Sequence, residues 1–178
     1  GGLWGGQLQR WREGVINNNQ PDSPIAHIPK DNEPALLPFV AKMTDDLFEF
    51  AEAPKEIKIL DEYGELILAG DNNRRFFEAA WLHKHQEKYY FSYSTGDTHF
   101  ICYAVGDSPY GPFTYQGKIL NPVVGWTSHH SICSIKGKDY LFYHDSSLSN
   151  GVTHLRSIKM TEIKYRDDGT IITINPYG

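Results

Sequence analysis

The sequence predicts an all-β protein. Apolar and polar residues alternate in short runs, and turn residues separate these runs. Aromatic residues make up 13% of the chain, and 16 Gly and 10 Pro accompany them, a composition typical of strands joined by tight turns. The related segments KYYF and KDYLF recur on the second strand of two successive predicted units. This recurrence indicates a repeated β-sheet module.

The first part of the chain is predicted to contain short, separated strands. Residues 1–12 read as strand ends around glycines, and residues 13–38 are rich in Pro and Asn, which predicts an irregular surface segment. Two short strands are expected within residues 39–54. A hairpin is expected within residues 55–71, with its turn at residues 62–64.

From residue 76 onward, strand and turn alternate regularly. The turns between paired strands are expected at residues 86–88, 108–112, 137 and 167–169. Radially repeated sheets of about four strands are the blades of β-propellers, whereas a sandwich would explain the short strands but not the repeat. A propeller has about 4–8 blades, and this chain has room for roughly three. The chain also opens with GGLWGG and no methionine, so we expect an N-terminal portion to be missing.

Composition excludes two classes of partner. The formal net charge is −5, the pI is about 5.9, and the basic residues are scattered, which argues against nucleic acid. No apolar run approaches the roughly 20 residues of a membrane helix. Cys102 and Cys133 lie in strand-like segments without metal-ligand spacing, so buried free thiols are expected, with a disulfide left open. Localisation stays open, with the bacterial cytoplasm or periplasm favoured.

Glu78 is the first candidate for chemistry. It follows Phe76 and Phe77 and lies three residues before Trp81. One interpretation is a carboxylate at the solvent end of a buried strand, which composition alone favours. The other is a general acid, because burial against these rings would disfavour the ionised form and raise the pKa.

Three further polar positions follow along the chain. His129 and His130 are adjacent, and adjacent strand residues face opposite sides, so at most one points into a given site. We expect His130 to be the core or rim residue. Arg156 is either a surface ion-pair partner or a planar donor to sugar hydroxyls, and Thr98 alone says little, because threonine is common in strands.

The combined arrangement makes the sequence recognisable. It closely resembles the C-terminal half of glycoside hydrolase family 43 through residues 74–174, and the similarity extends towards GGLWGGQLQRW. The segments that carry the resemblance are FFEAAWLHK, KYYFSYSTGDTHFICYA, SPYGPFTYQGKIL, GWTSHHSI, KDYLFYHDS and HLRSIKM. It implies a five-bladed β-propeller with its active site at the central cavity. Residues 1–178 would supply roughly the last three blades, as the C-terminal part of one catalytic domain.

The resemblance also implies roles for individual residues. Glu78 matches the general acid, which the family usually places in Glu-Gly-Pro, whereas this chain has Glu-Ala-Ala. Arg156 matches the arginine that contacts the sugar in the terminal subsite. Thr98 and, less directly, Trp4 match residues lining the substrate pocket. His129 matches the cavity histidine, which in some relatives faces a calcium ion through water.

The activity implied by the resemblance is inverting hydrolysis that releases a terminal pentose from xylan- or arabinan-derived oligosaccharides. An exo-β-1,4-xylosidase is expected first, with an α-L-arabinofuranosidase or a non-catalytic carbohydrate-binding propeller as alternatives. No cofactor is required for the chemistry, and a structural calcium ion is the one metal implied. In the family, the catalytic base and an aspartate that tunes the pKa of the acid come from N-terminal blades. The resemblance assigns neither role to an aspartate of this chain. Those blades, in the same or a separate chain, are therefore the expected protein partner.

Overall fold

The computed structural model describes residues 11–12, 15–16, 29–126 and 129–178. Within these ranges the structure is built from β-strands and one 3-10 turn at Ser147–Ser149, which confirms the all-β prediction. Trp4, a predicted pocket residue, lies outside the described residues. The strands in chain order are β1 Trp11–Arg12, β2 Val15–Ile16, β3 Phe39–Val40, β4 Lys55–Glu56, β5 Ile59–Leu60, β6 Glu78–His85, β7 Lys88–Ser94, β8 Ile101–Gly106, β9 Phe113–Leu120, β10 Ser131–Ile135, β11 Lys138–Asp145 and β12 Ser157–Glu162.

The larger sheet has five strands in the order β5-β9-β8-β7-β6. Neighbouring strands from β6 to β9 are antiparallel, and β5 joins the outer side of β9 in parallel. Because successive side chains of a strand face opposite sides, β7 presents Phe91 and Tyr93 to one layer and Tyr90 to the other. Both faces of this sheet are therefore available for packing.

The second sheet has three antiparallel strands in the order β10-β11-β12. The turn between β10 and β11 holds Lys136 at φ 52° and Gly137 at φ 77°. Two positive φ values are the geometry of a tight hairpin turn, and glycine adopts them without steric cost. The predicted turn at residue 137 is thus present.

Two hydrophobic cores cover the two faces of the five-stranded sheet. The first core lies between the two sheets, and the second lies on the other face of the larger sheet, where residues 57, 67 and 76 pack on it. Members of the first core include Tyr90, Ile101, Tyr103, Ile119, Leu120, Ile132, Leu141 and Tyr143. Members of the second include Ile57, Ile59, Ile67, Phe76, Phe91, Tyr93 and Phe113. The layers are stacked face to face, as the repeated sheet module predicts.

The predicted strands within residues 39–54 are shorter in the structure. The chain there forms only β3, which pairs with β4, and one isolated bridge between Met43 and Phe50. The intervening turn is organised by side chains: Asp46 accepts bonds from the Thr44 hydroxyl and from the Phe48 backbone. Such local bonds compete with a strand ladder.

The last predicted hairpin is also reduced. Its turn is present, since the Gly169 backbone N–H donates to the Arg166 carbonyl over 2.9 Å, but Tyr165 and Ile171 form only a single bridge. The Ile171 N–H donates to the Tyr103 hydroxyl over 2.8 Å. It therefore bonds to a side chain of the larger sheet and not to a partner strand in the hairpin.

Three smaller predictions can be compared with the structure. The turn at residues 62–64 is present, because the Asp61 N–H donates to the Glu65 carbonyl over 2.8 Å. Strand β2 falls inside the segment predicted to be irregular, where it pairs with β1. Both cysteines are free thiols, Cys102 buried as predicted and Cys133 exposed.

Over the described ranges, no helix has the length and apolar character that a membrane crossing demands.

Candidate active site

Glu78 begins β6 at an irregular point of the sheet. It pairs with Ser94, but the register shifts between Glu78 and Trp81, which is a β-bulge. Ala79, within the bulge, has a φ of 60°, in the left-handed region. Bulges re-aim the side chains beside them. The carboxylate of Glu78 is consequently neither in the core nor in open solvent, with 17% of its side chain exposed.

The two adjacent histidines diverge, although both precede β10 and do not lie in a strand as the sequence predicted. Nε2 of His129 lies 3.5 Å from Oε1 of Glu78, and 51% of the His129 side chain is exposed. His130 turns the other way, where its Nε2 lies 2.6 Å from the Ser92 hydroxyl oxygen. Burial, reinforced by the neighbouring His129 and His83, lowers the pKa of His130 to about 3. His130 is therefore a neutral interior residue, and His129 is the member of the pair that faces the candidate acid.

His144 is a site residue that sequence reasoning missed. It lies near the end of β11, and its Nε2 accepts a hydrogen bond of 3.2 Å from the His129 backbone N–H. Burial lowers the pKa of His144, and the positive charge of Arg156 and the proximity of His129 lower it further. The available signal was the YHD segment, whose Asp145 pairs with Ser157, directly after Arg156.

Arg156 is exposed and precedes β12. Its Nε donates to the Thr153 carbonyl over 2.8 Å, which orients the guanidinium and leaves donors on its two terminal nitrogens. Because the next residue, Ser157, pairs with Asp145, Arg156 lies at the same end of the three-stranded sheet as His144. The structure thus brings His129 to Glu78 and His144 to the His129 backbone, with Arg156 near His144.

Thr98 has a different environment. Its hydroxyl donates to the Asn72 carbonyl over 2.7 Å, and its oxygen lies 2.6 Å from the Thr95 hydroxyl oxygen. A threonine hydroxyl has one proton, so Thr98 could donate to a sugar only by giving up the bond to Asn72. Its role in substrate binding stays a prediction.

Aromatic rings surround the start of β6. Phe77, next to Glu78, packs so closely on Gly96 that a Cβ there would lie 2.4 Å from the Phe77 ring. His99, whose backbone N–H bonds to the Gly96 carbonyl, meets the ring of Trp126 edge-on at 5.1 Å. Trp126 is exposed and lies three residues before His129. An apolar ring face is therefore open to solvent near the candidate site.

The aspartates of the described residues include one that is buried. Asp145 is the buried one: it accepts bonds from the Tyr177 hydroxyl over 2.9 Å and from Ser147. Burial alone would raise its pKa, but these bonds lower it. Asp145 is thus a structural anchor for the loop after β11.

The described residues do not form a metal cage. Nowhere in ranges 29–126 and 129–178 do three or more His, Cys, Asp or Glu side chains meet in a way that could hold a metal ion. Calcium takes about six to eight oxygen ligands, whereas His129 offers a nitrogen. These residues by themselves therefore do not fit a calcium ion.

Comparison with known proteins shows which proteins this chain resembles. The model of the family described as glycosyl hydrolases family 43 matches residues 40–171. A xylosidase/arabinosidase of Bacteroides ovatus is 59% identical over 174 residues, which are 98% of this chain and 52% of that protein. Among solved structures, a GH43_1 enzyme from Xanthomonas citri superposes with a TM-score of 0.92 at 55% identity, over 100% of this chain and 52% of that one.

A third relative was solved with a ligand. It is CoXyl43, a β-xylosidase/α-arabinofuranosidase from a compost microbial metagenome, in complex with xylotriose and in a calcium-free form. The identity is 60% and the TM-score 0.90, over 99% of this chain and 53% of that one.

A fold of stacked β-sheets, with a carboxylate and histidines at one edge, defines this protein as part of a β-propeller of the glycoside hydrolase class. The chain belongs to glycosyl hydrolases family 43. It spans about half the length of the relatives that it matches. The propeller prediction is confirmed by these neighbours.

Proposed function

We propose that this chain carries the general acid of an inverting exo-β-1,4-xylosidase that also accepts α-L-arabinofuranosides. The observation that carries the proposal is the position of Glu78 at the bulged start of β6, partly buried and 3.5 Å from His129. The family match and relatives named as xylosidases and arabinosidases support the substrate class.

In this mechanism Glu78 protonates the glycosidic oxygen as the bond to the sugar breaks. Only 17% of the Glu78 side chain is exposed, which keeps this proton donor largely away from bulk water. His129 and Arg156 hold the terminal sugar by hydrogen bonds, and Trp126 offers an apolar ring face to a sugar ring. Thr98 and Trp4 are proposed pocket residues on the resemblance alone.

Inversion also needs a base on the opposite face of the sugar. The two carboxyl groups of such a pair stand about 6.5–9.5 Å apart, leaving room for the attacking water. We place this base, together with the pKa-tuning aspartate, on N-terminal blades that combine with residues 1–178 to form one catalytic domain. The partner of this chain is thus the remainder of its own propeller.

Calcium enters the proposal only as a structural ion. His129 would reach it through a water molecule, and oxygen ligands would have to come from outside the described residues. No step of hydrolysis depends on it here.

The test uses the complete protein with Glu78→Gln, assayed on two xylosides. Xylobiose has a poor leaving group that needs protonation, so we expect kcat to fall by about 10²–10⁴-fold. An activated aryl xyloside, whose leaving group needs no proton, should lose far less. Glu87→Gln is the matched control, because Glu87 follows the same strand and its side chain is 93% exposed.

The results separate the candidate functions. Equal losses on both xylosides would exclude Glu78 as the acid. A wild-type protein that binds xylotriose but hydrolyses neither xylosides nor arabinofuranosides would instead be a carbohydrate-binding propeller, which the Glu-Ala-Ala departure from the family pattern favours. The ratio of xyloside to arabinofuranoside hydrolysis decides between the two pentoses.

A further inference from the structure

His144, His129 and Glu78 form a chain of two contacts at the edge of the site. His144 Nε2 accepts from the backbone N–H of His129 over 3.2 Å, and the side chain of the same His129 brings Nε2 to 3.5 Å from Glu78 Oε1. The first contact fixes the main chain of His129, and the second uses its imidazole. His129 therefore links His144 to Glu78.

The two histidines differ in how firmly the fold holds them. His144 lies inside β11, paired with Ile158 of β12, and the next residue is the buried anchor Asp145. His129 lies outside any strand, in the segment between β9 and β10, and half of its side chain is exposed. A residue in such a segment takes its orientation from the few bonds that its backbone makes.

We propose that His144 is a positioning residue that holds the His129 backbone and thereby aims the His129 imidazole at Glu78. The inference rests on the proposed function, because it assumes that Glu78 is the acid. His144 touches neither the substrate nor the reacting atoms in this scheme.

The protonation state of His144 follows from the bond itself. An N–H donor requires a lone pair on Nε2, so the ring proton resides on Nδ1 and the imidazole is neutral. Burial, Arg156 and His129 disfavour a charged His144 ring, and Asp145 opposes them. Local electrostatics therefore support the neutral ring, and the hydrogen bond assigns its proton to Nδ1.

The test compares His144→Leu and His144→Gln in the complete protein, with xylobiose as substrate. Leucine removes the acceptor, whereas the amide oxygen of glutamine can replace Nε2. Losing one hydrogen bond is worth a factor of about ten, so His144→Leu should lower kcat about tenfold and His144→Gln should restore it to within about twofold.

The pH profile provides a readout that a purely structural role would not move. A hydrogen-bond donor next to a carboxylate favours its ionised form, so releasing His129 should raise the pKa of Glu78. The alkaline limb of the kcat profile should then move to higher pH in both His144→Leu and His129→Ala. His154→Leu, which removes an exposed histidine near Arg156, is the control and should retain the wild-type profile.

A measurement without activity separates this inference from the proposed function. In ¹⁵N-histidine-labelled protein, the His129 amide signal should move in His144→Leu and return towards its wild-type position in His144→Gln. If Glu78→Gln leaves hydrolysis unchanged, the proposed function fails, and the amide signal still tests the contact. If Glu78→Gln abolishes xylobiose hydrolysis but His144→Leu keeps the wild-type rate and alkaline limb, the positioning role is overturned. A lower rate that glutamine does not restore, with an unmoved limb, overturns it too.

Discussion

The hydroxyl oxygen of Ser92 lies 2.6 Å from Nε2 of His130 and joins the middle of β7 to the segment that leads into β10. Ser92 is fully buried. The other ring nitrogen of His130, Nδ1, is also buried, and it has no hydrogen-bond partner among the described residues. The bond to Ser92 thus pairs only Nε2 of His130, while His129, one residue earlier, faces Glu78.

Ser92→Ala should destabilise the protein by about 1–3 kcal/mol, because it leaves a buried imidazole nitrogen without a partner. Adding His130→Leu should cost less than the sum of the two single changes, since both polar partners are then gone. Urea unfolding of the wild type, the two single variants and the double variant measures this coupling. Strict additivity would contradict it.

Stability at acid pH should depend on His83. Burial lowers its pKa to about 4, with Asp139 opposing the shift, and its Nε2 lies 3.0 Å from the Tyr165 hydroxyl. In the unfolded chain a histidine has a pKa of about 6.5. Between this pH and about pH 4, the unfolded state binds a proton at His83 and the folded state does not, so acid favours unfolding. Up to about 3 kcal/mol of stability is lost across this window.

His83→Gln removes the titrating ring and keeps a polar group opposite Tyr165. The loss of unfolding free energy between pH 7 and pH 4 should therefore be smaller in this variant than in the wild type. His154→Gln, at an exposed position, should follow the wild-type curve. Parallel curves for His83→Gln and the wild type would show that His83 titrates normally in the folded protein.

The left-handed backbone at Ala79 predicts the effect of changing its side chain. Holding a non-glycine residue at φ 60° destabilises the fold by about 1–2 kcal/mol. Glycine removes this steric cost, but it loses more backbone entropy on folding, which offsets part of the gain. Ala79→Gly should thus be neutral or stabilising by up to about 1 kcal/mol, with full activity. Ala79→Val should destabilise and lower kcat by shifting Glu78. Thermal unfolding and xylobiose assays of both variants test this, and a fully active, equally stable valine variant would refute it.

Arg156→Lys tests whether the planar guanidinium binds the sugar. Lysine keeps the charge but loses the fixed fork of donors, so we expect the KM for xylobiose to rise about tenfold, corresponding to about 1.4 kcal/mol. The kcat should change much less, because the bond is made in both the ground and transition states. An unchanged KM would assign Arg156 to the surface-charge interpretation.

The order of strands and turns from residue 76 onward could be predicted, because alternation and tight-turn chemistry are local. Predictions were less accurate where side chains or a distant strand capture the backbone. The Ile171 N–H, for example, bonds to Tyr103 rather than to a hairpin partner. In the turn at Thr44, likewise, the Asp46 carboxylate accepts the bond from the Thr44 hydroxyl.

The candidate site shows the same division. His129 and His130 diverge, but they precede β10, so the strand alternation used in the prediction does not explain it. Sequence resemblance singled out Glu78. His144 was missed because its contact is with a backbone N–H on another segment, a relation that no spacing in the sequence encodes. The bulge at Ala79 was equally hidden, because alanine gives no signal for a positive φ.

The position of β6 has a consequence for local opening. It is the last strand of its sheet, and an edge strand is ordinarily the first to fray. Here Glu78 contacts His129 at one end, and His83 meets Tyr165 near the other, while β10 packs against the strand. The amide protons of β6 should therefore exchange with solvent only when the two sheets separate, which makes this nominal edge one of the slowest-exchanging strands of the chain.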